Sequence, residues 1–184
     1  MKYFFTYFIA LATIGLFSCE NTDEEIAAIN KKTLMVDQAT RIESYLSQGG
    51  KVKAKLTAPL MLRVTADTIY TEFPKTLHVD FYNDAKVIET RLDAKYGKYF
   101  EHLNKIYLRD SIRVISTKGD TLYCEDLWWD QNQEKFYTHK PTQQRSPGRK
   151  INGKNGLEAT QDLKNITFFD VDGFTPTKEG DIPR

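Results

Sequence analysis

From Arg41 onward, apolar side chains recur at every second residue, and turn signals cut the pattern roughly every ten to fifteen residues, as in chains made of short strands. Val52, Ala54, Leu56, Ala58, Leu60, Leu62 and Val64 share one phase, and Lys51, Lys53 and Lys55 share the other. Such alternation gives each strand one inward and one outward face. Leu77, Val79 and Phe81 repeat it, as do Ile106, Leu108, Ile112 and Val114, with Asp110 the polar exception in that row. Turns are expected at Ser47–Gly50, Tyr82–Asp84, Asn104–Lys105, Lys118–Asp120, Gln131–Gln133 and Asn152–Gly156. Pro59 cannot donate to a ladder, so its strand is expected to lie at an edge or to break there. Almost no segment has helical periodicity, which leaves an all-β sandwich, barrel or roll.

Three stretches within this pattern resemble one another. They begin at Leu92, Leu122 and Leu157, and each places a small residue two positions later, at Ala94, Cys124 and Ala159. The first two add an aromatic five positions further on, Tyr99 or Trp129. An odd offset sends a side chain to the opposite face of a straight strand. If both positions face the core, a bulge or corner must separate them. Repeats of this size point to stacked hairpins that share a long core and leave an exposed strand at each end. Cys124 then reads as a small packed side chain and not as a reactive thiol.

The N-terminus carries a different message. Lys2 precedes an apolar run from Tyr3 to Phe17, which ends in Leu16-Phe17-Ser18-Cys19. This is the layout of a bacterial secretion signal, too short to span a bilayer and closing on a lipobox. Residues 1–18 are expected to be the signal and Cys19 the lipid attachment site; the competing reading is an uncleaved anchor with an incidental cysteine. Residues 19–40 are expected to tether the domain, as a short helix capped at Thr22–Glu25 or as a solvated acidic spacer. The domain itself is expected over residues 41–173, with a loose tail over 174–184.

Composition limits the function. Lys and Arg number 26 and Asp and Glu 25, and of these only Lys2 falls in the signal, so the body is balanced. A nucleic-acid partner would demand a basic face. With Cys19 lipidated, Cys124 has no partner for a disulfide. His78, His102 and His139 are scattered without metal-ligand spacing, and no nucleophile elbow or phosphate loop occurs. No cofactor is implied and no enzyme is signalled, although a carboxylate pair could be formed by residues distant in sequence. Trp128 and Trp129 raise a sugar platform, but the repeat sends Trp129 inward. The stretch Gln143–Lys150 reads as a basic, turn-rich loop, either solvated or in contact with lipid phosphates.

Several stretches occur in an order that resembles the LptC family of periplasmic lipopolysaccharide-export proteins. They are Lys55-Leu56-Thr57-Ala58-Pro59, Phe73-Pro74, Phe81-Tyr82, Leu92–Gly97, Gly119–Asp130, Lys135–Pro141, Gly153–Ala159 and Val171-Asp172-Gly173. The resemblance implies an open, twisted β-jellyroll of stacked antiparallel hairpins with an apolar groove and exposed edge strands at both ends. It implies a lipid-binding groove lined by Leu77, Val79, Phe81, Ile106, Leu108, Ile112, Val114, Trp129, Phe136 and Phe168. It further implies that lipopolysaccharide arrives from an inner-membrane ABC transporter and leaves to a periplasmic bridge protein of similar fold, joined by strand addition. The backbone from Gly153 to Gly156 would matter for that bridge. Family members often carry an N-terminal transmembrane helix, whereas here the anchor reads as lipid on Cys19, facing the periplasm from the inner membrane. The alternative is an envelope lipoprotein whose β-sandwich binds glycans or partner proteins.

Overall fold

The computed structural model describes residues 35–66 and 68–174. The expected signal, Cys19, most of the tether and nearly all of the tail lie outside them. The described chain is all β. Its strands are β1 (Met35–Gln48), β2 (Lys51–Thr65), β3 (Tyr70–Phe73), β4 (Leu77–Tyr82), β5 (Ile88–Ala94), β6 (Tyr96–Phe100) and β7 (Lys105–Ser116). They continue as β8 (Thr121–Asp130), β9 (Lys135–Thr138), β10 (Thr142–Ser146), β11 (Arg149–Gly153), β12 (Leu157–Thr160), β13 (Ile166–Phe168) and β14 (Val171–Phe174).

All fourteen belong to one antiparallel sheet, but the register folds it in two. One limb runs from the second half of β1 through the first half of β2, then β4, β5, the second half of β7, the first half of β8, β10, β11 and β14. The other runs from the first half of β1 through the second half of β2, then β3, β6, the first half of β7, the second half of β8, β9, β12 and β13. Four long strands, β1, β2, β7 and β8, therefore cross between limbs. The result is the open twisted β-jellyroll anticipated from the sequence. Among the described residues β1 pairs only with β2, while β13 and β14 are flanked on one side only, so both ends of the described roll are edges.

A row of corners makes the fold possible. β5 and β6 meet at Lys95, whose N–H donates to Asp110 O at 3.0 Å. In β7 the ladder to β8 shifts between Arg109 and Ile112, where Asp110 and Ser111 take φ of 66° and 54°. This is a bulge, and it accounts for the polar Asp110 in an apolar row. It also resolves the odd offset of the repeat. Cys124 and Trp129 both face inward because the inward phase of β8 slips between Cys124 and Leu127, opposite the β7 bulge, and Ala94 and Tyr99 both pack on the core because a corner lies between them.

Several expectations need correction. β1 starts at Met35, so the sheet reaches into the stretch read as a tether. Pro59 neither ends β2 nor marks an edge, since β2 pairs on both sides. It falls between the residues bound to β4 (Ala54–Thr57) and those bound to β3 (Leu62–Val64), where a missing N–H breaks no ladder bond. Opposite it, Arg41 leaves the β1 register with φ 52°. Gln143–Lys150 is not a loop: β10 and β11 form a tight hairpin from Gln143↔Asn152 to Ser146↔Arg149.

The inward faces form one continuous core. Phe81, Leu92, Val114, Leu122, Leu127, Phe136 and Leu157 are all fully buried. Each such side chain contributes about 1.5–3 kcal/mol relative to exposure.

Candidate functional site

The interior between the limbs changes character along the roll. At the β1 end it is incompletely filled. Ile42 and Leu46 of β1, Leu56 and Met61 of β2, and Tyr99 of β6 are only half-buried while packing on the core. Together with Phe73, Ile106 and Trp129 they line an apolar cavity of about 290 Å³. Among the described residues no second strand pairs with the outer edge of β1, which exposes Met35, Val36 and Tyr45. A void bordered mainly by aliphatic side chains and aromatic rings suits hydrocarbon.

In the middle the limbs touch. The Phe81 ring meets Trp129 edge-on at 4.7 Å and Phe136 at 5.6 Å between centroids. Trp129 Nε1 donates to Gln161 at 3.1 Å within the core. The limb tips also meet, through a Lys53–Glu134 ion pair at 3.7 Å. Beyond this aromatic barrier the limbs separate again around a polar cleft of about 620 Å³ at the β11–β13 end.

The ten residues expected to line a groove do share one interior surface. Nine are fully packed core residues and Phe168 is partly buried against them. Only Ile106 and Trp129 reach the apolar cavity, and Phe168 reaches the polar cleft. The cavity residues Ile42, Leu46 and Met61 were not singled out from sequence, and Tyr99 only as the aromatic of the first repeat. Ile42 and Leu46 are the inward positions of a strand whose outer side is unpaired, and their alternation over so few residues was the one signal available.

Gly153 and Gly156 occupy the corner joining β11 to β12. A Cβ on Gly153 would stand 2.7 Å from Gly156 O and 2.9 Å from the Phe168 ring. Cys124 is buried, and burial together with nearby Asp126 pushes its thiol up to about 12. Low thiolate content at neutral pH matches a packing role. Trp128 faces outward but not alone. It stacks with Phe100 and Tyr137 and tilts against Tyr107, with centroids 5.0–6.3 Å apart. These are cross-strand contacts that hold neighbouring strands in register.

On the outer face of the first limb, His78 lies opposite Leu77 and Val79, as alternation required. Its Nδ1 is 2.7 Å from Asp93 and its Nε2 3.2 Å from Asp80. Partial burial pulls the imidazole pKa down, but hydrogen bonds to the two carboxylates outweigh it and the net shift is upward. A raised folded-state pKa means the contribution is fully present below the unfolded value of about 6.5 and is lost as pH rises through the folded one. The pair is over a third exposed, so solvent screening keeps the effect on stability small. An NMR titration should give a His78 midpoint above the ordinary histidine value. In Asp93→Asn that midpoint should fall; if it does not, the Asp93 contact is absent in solution.

Among the described residues no helix is long and apolar enough to cross a membrane, and no cluster of His, Cys, Asp and Glu could hold a metal ion. No curated protein matches the sequence. A family profile described as lipopolysaccharide-assembly, LptC-related, matches residues 7–173. With the match spanning most of the chain and the fold that of a β-jellyroll, the protein belongs to the LptC family of lipopolysaccharide-assembly proteins.

Proposed function

We propose that this chain is a non-enzymatic conduit subunit. It takes lipopolysaccharide from an inner-membrane ABC transporter and passes it to a periplasmic bridge protein of similar fold. The observation that carries this reading is the apolar cavity at the β1 end, open beside a fourteen-residue edge strand. An acyl chain entering there exchanges water for Ile42, Leu46, Leu56 and Met61, at about 25 cal/mol per Å² of apolar surface removed from water. Movement through such an interior needs no reacting group in this chain, because the transporter supplies the energy. The edges at the two ends of the sheet each offer backbone groups to a further strand, which is the means of joining the partner rolls. In this reading Cys19 carries the lipid that holds the roll at the periplasmic side of the inner membrane. The interior row from Leu77 to Phe168 becomes lipid-facing as the roll opens.

Site-specific photocrosslinking tests the proposal. A photoreactive residue at Leu56 or Met61 should yield lipopolysaccharide adducts in cells, and one at the outward Arg109 should not. Silence at Leu56 and Met61 in folded protein would sink the conduit reading. Leu108, sealed in the core, separates a local opening from one along the whole roll.

A further inference from the structure

An antiparallel sheet packed on one side normally turns a polar face to water. The outer face of the second limb departs from this at the β1 end, and the corner at Pro59 is the cause. Before the corner Ala54 and Leu56 face inward, and after it the inward residue of β2 is Met61, which lines the apolar cavity beside Leu56. The step from Leu56 to Met61 is odd, so the phase slips between them. Leu60, Leu62 and Val64, in step with Leu56 along the sequence, are therefore turned outward. β3 agrees. Thr71 and Phe73 line the cavity, whereas Tyr70 and Glu72 point away from it, and these two are the partners of Val64 and Leu62. Val64 is buried, yet it lies outside the core that fills the interior.

An apolar row thus crosses four strands on the outside of the roll, Val36↔Val64↔Tyr70↔Phe100. Trp128 extends it, stacked on Phe100 at 5.8 Å between centroids. Turns at the tip of the limb add Ile69 and Leu103. Val36, Ile69 and Leu103 leave 39–49 % of their surface in water. Contiguous apolar side chains at this exposure mark a surface that something covers.

The chemistry of the patch fits the interface of a lipid bilayer. Tyr and Trp rings settle at headgroup level. Lys98 lies over two of the rings, its Nζ 3.5 Å from the Tyr70 centroid and 5.5 Å from that of Phe100. A lysine in this position runs its stem along apolar surface and keeps its head wet. Ile69 and Leu103 project from turns, where they can enter a soft phase. Arg63, Lys98 and Lys105 are each paired with a carboxylate, Glu101, Glu72 and Asp130, at 2.9–3.4 Å. The patch therefore carries little net charge with which to attract an acidic or basic protein. The path of the chain agrees. β1 begins beside this face at Met35, and only residues 20–34 separate it from Cys19, a span of about 50 Å at full extension. That last point rests on the lipid anchor proposed above.

We propose that the tip of the second limb is a membrane-docking face, with Val36, Ile69 and Leu103 in the headgroup–acyl boundary and Tyr70, Phe100 and Trp128 at headgroup level. Docked this way, the roll holds the cavity on the inner side of the same strands next to the bilayer.

Spin labels read the depth. The full-length chain, purified from bacterial membranes and reconstituted in phosphatidylethanolamine–phosphatidylglycerol vesicles, carries a nitroxide at Ile69→Cys or at Leu103→Cys. Tyr123→Cys is the control, since Tyr123 is 38 % exposed on the outer face of the first limb, and the signal of the chain without an added cysteine is subtracted. Labels at 69 and 103 should collide more with oxygen, which partitions into lipid, and less with a water-soluble nickel chelate than the label at 123. Leu103→Glu should return the label at 69 to the control values at unchanged Tm, because both side chains are exposed. Raised salt should leave the immersion as it is, because no net charge drives it. Water-like labels at 69 and 103 overturn the proposal. Release by salt overturns it too, as does protection from both reagents that grows with the protein-to-lipid ratio, the mark of a second copy on this face. Mass spectrometry of the same preparation reads the lipid on Cys19 separately. Immersed tips on an unlipidated chain would remove the anchor and leave the docking face, and water-like tips on a lipidated chain would do the reverse.

Discussion

Gly156→Ala should lower stability by about 4 kcal/mol or more, among the largest effects a single methyl group can have. Two causes add. Gly156 has φ +93°, a conformation that costs a residue with a Cβ about 1–3 kcal/mol. The new Cβ would also stand 2.0 Å from Thr138 O and 2.8 Å from His139 Cα, backbone atoms of the neighbouring corner that cannot rotate away. Gly119 separates the two causes, because it has nearly the same φ, +90°, with nothing within 4 Å of its Cβ position. Gly119→Ala should therefore cost only the dihedral strain. Thermal unfolding reads the difference, with Gly156→Ala falling about 10 °C or more at this chain length and Gly119→Ala a few degrees. Equal losses in the two variants would mean that the corners at 139–141 and 154–156 do not stack closely in solution.

That corner also shows how far the sequence could be read. Alternation over Leu77–Phe81 and Ile106–Val114 placed the inward rows, because period two needs only local residues. The odd spacing from Cys124 to Trp129 demanded a bulge or corner, and one is there. What alternation could not supply is the partner of each strand half. β8 binds β10 with Thr121–Cys124 and β9 with Trp128–Asp130, a division set by where the corners stack in space. Pro59 misled for the same reason: its effect depends on which neighbours end beside it. The Gly153–Gly156 stretch was singled out by resemblance, and the physical reason, close approach of two backbones, is visible only in three dimensions.

The candidate site was less legible than the fold. An inward apolar residue looks the same in sequence whether it fills a core or lines a void. Leu108 and Leu56 share pattern and chemistry, yet one is fully buried between two strands and the other borders a cavity. The difference arises from position in the stack. β7 is flanked on both sides along its length, whereas β1 and β2 stand at an end where no further strand covers the interior. The polar cleft was invisible for a related reason. Ser116 and Gln144 lie far apart in sequence and border one cleft only because β8 pairs with both β7 and β10 in the first limb.

Phe81→Ala bears on how lipid could pass from one void to the other. Phe81 is fully buried, with its ring edge-on to Trp129 and Phe136. Truncation removes a ring's worth of packing and leaves a hole between the apolar cavity and the polar cleft. In a rigid, packed barrier this costs about 3–5 kcal/mol, since the two limbs cannot both collapse inward. Phe81→Leu, which keeps most of the volume, should cost less than half as much. Urea unfolding at unchanged m-value measures both. A loss below about 1 kcal/mol for Phe81→Ala would mean that the ring is not packed in the free protein and that the interior is already continuous. With the full loss, the resting roll is closed at its middle, and passage of an acyl chain must displace Phe81 from Trp129. The energy for that step has to come from lipid pushed in at the β1 end, because nothing in the aromatic cluster is charged or able to switch. The same variant should then lower the barrier to passage: lipopolysaccharide adducts at Leu163, beyond the barrier, should rise relative to those at Met61.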